Sequence, residues 1–171
     1  MFIQTSEGDS ASSSVLLDAG PDVWQQFERW GLAPRVDRVV ISHHHDDHVL
    51  GLRDLCIMSR KHARVLPVHC GPVTEARIRA TFAGLLRDGR EQIAFVPWHA
   101  GAVVEAGGVR VEGFETHHRG ADEPTTAFLI HAEREGRGVR IAYATDMGTE
   151  LPAPRERLEL SLIHISEPTR R

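Results

Sequence analysis

The segment Ser42-His43-His44-His45-Asp46-Asp47-His48 places four imidazoles and two carboxylates in six consecutive residues. It follows the apolar run Val39-Val40-Ile41, so the cluster falls where a buried strand leaves its sheet. Neutral imidazole and ionised carboxylate are the ligand types of zinc and related divalent ions. On chain still roughly extended, His43 and His45 lie two apart, point to the same side and can share one ion. Asp47 and His48 follow at the turn into an expected helix, where free N–H groups and the positive dipole end favour a carboxylate. They can hold a second ion beside the first. His44 and Asp46 are out of phase with these four and read as solvent-facing or supporting. The plain alternative is a histidine-rich surface loop, but such a loop rarely joins a buried strand to a helix.

Two further strand ends carry suitable chemistry. Thr116-His117-His118 closes a strand expected from Val109, and Thr145-Asp146-Met147-Gly148 closes one expected over Val139 to Ala144. Alone, a histidine pair is an ordinary polar strand end, and an Asp before Met-Gly is an ordinary turn or cap. Their coincidence with the first motif makes them ligand candidates, provided the strand ends share one rim.

The elements that must position these groups can be read from periodicity. Val15-Leu16-Leu17 is a short strand ended by Asp18-Ala19-Gly20, with Glu7-Gly8-Asp9-Ser10 a turn before it. Pro21 suits the first turn of a helix in which Val23, Trp24, Phe27 and Trp30 recur at helical spacing, an aromatic stripe expected in the core. Val36 to Ser42 is the strand that delivers the motif, Gly51 to His62 the next helix, and Arg64 to Cys70 a further strand. Gly71-Pro72 opens a helix through about Leu86, with Val73, Ile78, Phe82 and Leu85 turned inward. Beyond Gln92 strands dominate: Ile93 to Trp98, a hairpin about Gly107-Gly108, and Thr126 to Ala132 paired with Val139 to Thr145. The expected class is α/β with mixed, not purely parallel, sheets.

At 171 residues the chain has one domain's worth of length. Residues 1–160 are expected to form it, with 161–171 outside the fold. A hydrophobic share of 41% and a charged share of 26% are those of an ordinary globular protein. The net charge of -4 leaves no basic footprint, so nucleic acid is not expected as a partner. No apolar run reaches membrane-spanning length and the first residues lack a signal peptide's basic start, so a cytoplasmic protein is expected. Cys56 and Cys70 are expected to be buried and reduced. A homodimer is left open.

With these pieces assembled, the chain resembles the metallo-β-lactamase fold superfamily. The resemblance rests on Leu17-Asp18-Ala19-Gly20, the His43-x-His45-x-Asp47-His48 signature, Thr116-His117-His118-Arg119 and Ala144-Thr145-Asp146-Met147-Gly148, in the family's order. It implies an αββα sandwich, two mixed sheets with outer helices, and two divalent ions at one edge. Zinc is the expected metal, with manganese and iron as alternatives. Asp18-Ala19-Gly20-Pro21-Asp22, Gly51-Leu52-Arg53-Asp54-Leu55 and His118-Arg119 leading to Thr125-Thr126-Ala127-Phe128 look most like the cyclic phosphodiesterase branch, with ribonuclease Z-like relatives nearby.

Carried onto this sequence, the family pattern gives His43, His45 and His118 to the first metal, Asp47 and His48 to the second, and Asp146 to both. His118 is preferred to His117 because Arg119 and the spacing to Thr125 fit that branch. The implied activity is hydrolysis of a phosphodiester or cyclic phosphate in a small molecule by a metal-bridging hydroxide. Asp47 would also orient the water or pass a proton to the leaving group. Thr145 and Asp18 are expected to fix ligand geometry, and Arg119 to meet a phosphate. Hydrolysis of a lactone, thioester or RNA end, and a non-catalytic metal-binding module, are the alternatives. The family's glycine-rich opening segment and last histidine are missing, so a fragment lacking both ends is expected, and His164 is not taken as the missing ligand.

Overall fold

Every apolar run that leads to a proposed ligand becomes a strand. The computed structural model describes residues 1–5, 13–31, 36–86, 92–118, 124–134, 137–146 and 163–166. The expected turn at 7–10, Arg119 and Met147-Gly148 lie outside them. The described residues gather into two compact units. The first is built from Met1–Gln4 and Ser13–Pro97, the second chiefly from the described residues beyond Pro97.

The first unit is a five-stranded sheet in sequence order: β1 (Phe2–Thr5), β2 (Ser13–Leu17), β3 (Arg38–Val40), β4 (Leu66–Cys70) and β5 (Ile93–Pro97). Strands β2 to β5 are all parallel. The connections carry helices α1 (Val23–Arg29), α2 (Asp46–Val49), α3 (Leu52–Lys61) and α4 (Pro72–Thr81), as parallel pairing requires. Leu16, Val39, Val68 and Phe95 are in line across the sheet. They pack with Val23 and Phe27 of α1, Leu52, Leu55 and Met58 of α3, and Ile78 of α4 in one apolar core. Val15, Leu17 and Val40 alternate with that row and are also buried. A parallel strand reads as a continuous apolar run for this reason.

The second unit is a sheet in the order β10 (Ile163–Ser166), β9 (Arg137–Ala144), β8 (Pro124–Arg134), β7 (Val109–His117), β6 (Val103–Ala106). Strands β6 to β9 are antiparallel neighbours and β10 runs parallel to β9. Gly107 and Gly108, at φ of 53° and 77°, make the two-residue turn of the β6–β7 hairpin, where left-handed backbone matches the strand twist. Phe114, Ala127, Leu129, Ala142 and Ala144 form the core on one face.

Three expectations are corrected. Trp24 is 37% exposed and Trp30 69%, because α1 ends at Arg29 and its buried pair is Val23 and Phe27, one turn apart. Val73, in the first turn of α4, is exposed, and Thr74 and Ile78 carry the buried face instead. Within 161–171, Ile163–Ser166 pairs with Ile141–Ala144 and extends the second sheet.

Candidate metal centre

Strand β3 ends at Val40, the chain bends at Ser42, and His45, with φ of -66° and ψ of 152°, is the N-cap of the short helix α2. Asp46 and Asp47 fill the first turn of α2, where carboxylates meet its free N–H groups. His43 and His48 are buried, His44 and His45 are both half-buried, and Asp46 and Asp47 are both exposed, so burial does not separate the proposed ligands from their out-of-phase neighbours.

The four motif residues in the first unit are brought together in two pairs. His43 and His45 each present a ligand nitrogen within 4.8 Å of the other, and their rings meet edge to face at 4.5 Å between centroids. Asp47 Oδ2 lies 3.6 Å from His48 Nε2, and the His43 and His48 rings are 4.2 Å apart. Closely set imidazoles and a carboxylate are the donor set of a divalent ion, and the pairs fit such an ion in ligand type and spacing.

The loop after β2 buttresses this cluster. Ala19 N–H donates to the His48 carbonyl at 2.7 Å, and Gly51 N–H donates to the Ala19 carbonyl at 2.9 Å. Gly51 has no side chain because none fits: a Cβ there would fall on the Gly20 carbonyl oxygen and 2.6 Å from Val23 Cγ1. A Cβ on Gly20 would lie 2.9 Å from the Asp47 carbonyl oxygen. Two glycines thus let the Asp18–Gly20 turn lie flat on the metal motif.

Asp18 is the charged centre of that turn. It is 6% exposed and has a φ of 57°, left-handed backbone that Asp tolerates better than most residues. Its carboxylate accepts from the Ser42 amide at 2.7 Å, the Ser42 hydroxyl at 2.9 Å and His48 Nδ1 at 3.0 Å. Burial alone would push the Asp18 carboxyl up. The hydrogen bond and charge of His48, with the Ser42 donors, outweigh burial and hold it below its ordinary value. Ser42 was not singled out from sequence, since a serine at a strand end carries no signal until its partners are known.

The remaining sequence-predicted residues belong to the second unit. Thr116 and Thr125, both buried, join hydroxyls at 2.8 Å and lock the end of β7 to the start of β8. His117 is the last residue of β7, and His118 follows half-buried. Asp146 follows the buried Thr145 beyond β9 and has a φ of 50°, a second left-handed Asp at a proposed ligand position. Such backbone concentrates at functional sites because the surrounding fold must hold it.

A family profile described as "Beta-lactamase superfamily domain" matches residues 13–165. The chain belongs to the beta-lactamase superfamily. Within that superfamily it is similar to a protein named Ribonuclease Z from Bradyrhizobium diazoefficiens, 33% identical over 131 residues, 74% of this chain and 44% of that protein. A Ribonuclease Z from Halorubrum lacusprofundi is 33% identical over 116 residues, 66% of this chain and 36% of that protein. The chain therefore spans less than half the length of these relatives.

Among solved structures, a diphosphatase described as from the PhnP family aligns with a TM-score of 0.71 and 24% identity, covering 92% of this chain and 56% of that one. The metallo-β-lactamase SMB-1 aligns with a TM-score of 0.65 and 14% identity, covering 96% and 72%. These likenesses establish the metallo-β-lactamase fold. The composition argument against nucleic acid loses its force, because the sequence relatives are named as ribonucleases. Among the described residues, no helix is long and apolar enough to cross a membrane.

Proposed function

We propose that the protein is a metal-dependent hydrolase of phosphodiesters, with His43, His45 and His118 holding one divalent ion, Asp47 and His48 a second, and Asp146 shared between them. The observation that carries this reading is the pairing of His43 with His45 and of Asp47 with His48 at the end of β3, in a chain similar to named ribonucleases. Bound ions of this kind supply Lewis acidity and an acidified water at neutral pH.

The protein's own groups do the rest. Burial of His43 and His48 excludes water from one side of the cluster and strengthens their interaction with charge there. Asp47, with its side chain 69% exposed, reaches solvent and would orient the attacking water or pass a proton to the leaving group. Zinc is the favoured metal for a histidine-rich set, with manganese or iron accepted by the same ligands. Free, buried Cys56 and Cys70 support a reducing compartment such as the cytoplasm.

A small-molecule phosphodiester or cyclic phosphate is the first substrate reading, and an RNA phosphodiester the second, favoured by the names of the sequence relatives. Zinc-loaded protein should hydrolyse bis-p-nitrophenyl phosphate and leave a chromogenic lactone intact, and parallel incubation with an RNA oligonucleotide ranks the two phosphodiesters. Turnover of the lactone alone, or bound zinc with no turnover of any ester, would replace this reading with an acyl hydrolase or a metal-binding module.

A further inference from the structure

The contacts around Ser42 fix more than position. We infer that Asp18 and Ser42 form a two-step relay that sets the tautomers of His43 and His48 together, so that one buried carboxylate prepares a ligand for each of the two ions. The assignment of the ions rests on the proposed function, but the tautomers do not.

The inference follows from counting hydrogens. The Ser42 amide can only donate, and it gives its hydrogen to Asp18 Oδ1 at 2.7 Å. Ser42 Oγ lies 2.9 Å from Asp18 Oδ2, and a carboxylate only accepts, so the single hydroxyl hydrogen of Ser42 points at Asp18. That hydroxyl then has only lone pairs left. His43 Nδ1 lies 3.0 Å from the same Ser42 Oγ, so His43 must be the donor and carries its hydrogen on Nδ1. His48 Nδ1 lies 3.0 Å from Asp18 Oδ2 and 3.4 Å from Ser42 Oγ, both acceptors toward it, so His48 also carries its hydrogen on Nδ1.

In both neutral rings Nε2 is therefore the nitrogen that carries the lone pair a metal ion can accept. For His48 that nitrogen is the one lying 3.6 Å from Asp47 Oδ2. Asp18, Ser42, His43 and His48 are all buried, where a polar group left without its partner is costly, so the proton pattern is strongly enforced. Asp18 and Ser42 are positioning residues: they touch the ligands and not the substrate. Partners that orient a ligating histidine are typically worth about 10- to 100-fold in metal affinity. Here a single carboxylate would carry that effect for both ions, directly for His48 and through Ser42 for His43.

Long-range 1H–15N correlation spectra of the histidine side chains read which ring nitrogen is protonated, independently of any activity. In the metal-free protein at about pH 8, where an ordinary imidazole is neutral, His43 and His48 should both show the Nδ1–H form. Ser42→Ala should turn His43 into a mixture of tautomers, leave His48 in the Nδ1–H form, and weaken one zinc ion by about 10-fold in chelator competition. Asp18→Asn keeps the left-handed backbone but has one acceptor oxygen, and should mix both tautomers and weaken both ions. A Ser42→Ala protein with His43 still wholly Nδ1–H would overturn the relay, as would an Asp18→Asn protein altered at His48 alone. If Asp18→Asn does not fold, Ser42→Ala decides. Loss of the functional reading looks different: wild-type protein would show the tautomer pattern yet bind no zinc or hydrolyse no phosphodiester.

Discussion

Replacing Gly51 by Ala tests whether the turn after β2 truly braces the metal motif. A methyl group at residue 51 would collide with the Gly20 carbonyl, lie 2.6 Å from Val23 Cγ1 and 3.0 Å from the Ala19 carbonyl oxygen. Two of these neighbours are backbone and cannot rotate away, so the turn and the start of α3 must separate. Overpacking of this kind costs about 1–3 kcal/mol. Separation also stretches the bonds from Gly51 to Ala19 and from Ala19 to His48, at 2.9 and 2.7 Å, each worth about 1 kcal/mol net.

Capping preference adds weakly to this loss: Gly51 is the N-cap of α3, where Gly is a better cap than Ala by about 1 kcal/mol or less. The expected loss is about 3 kcal/mol, which at a urea slope of about 2 kcal/mol per molar lowers the unfolding midpoint by roughly 1.5 M. Gly84→Ala is the control, since a Cβ there meets nothing within 4 Å, and its midpoint should stay put. A Gly51→Ala protein as stable as wild type in metal-free urea titrations would refute the bracing argument.

Two other outcomes are expected. Thr145 Oγ1 is buried with no hydrogen-bond partner among the described residues, so Thr145→Val should raise the thermal stability of the metal-free protein by about 1–2 kcal/mol; a drop in melting temperature would show that the hydroxyl is used. Burial, and then the nearby Arg38, push His69 down to about 4 from an ordinary 6.5. The unfolded chain therefore binds the extra proton first, and stability is lost as pH falls from about 6.5 toward 4. His69→Gln should flatten that part of the pH profile, and an unchanged acid slope would remove His69 as its source.

The elements that deliver the chemistry were legible because their signals are local. Val39-Val40-Ile41 reads as a buried run from its composition alone, and all three residues are buried. Gly107-Gly108 marks its hairpin by the backbone that only glycine adopts freely. What sequence periodicity missed depended on lengths and partners. Trp24 and Trp30 share a helical spacing with Phe27, but α1 stops at Arg29 and its short buried face has room for Val23 and Phe27. Ile163–Ser166 shows no strand signal beyond two isoleucines, and gains its hydrogen bonds from β9. Asp18 could be suspected from its place before a turn, but Ser42 acquires its role only through three distances that no spacing encodes.

Zinc content after dialysis is the most direct test of the central claim, that the strand-end histidines hold a metal. Wild-type protein should retain zinc, His44→Ala should retain the same amount because that ring is out of phase with the ligands, and the His43→Ala, His45→Ala double variant should lose tight binding. Circular dichroism run alongside must show the double variant folded. Equal zinc retention in all three proteins, or equal loss in the two variants, would contradict the account.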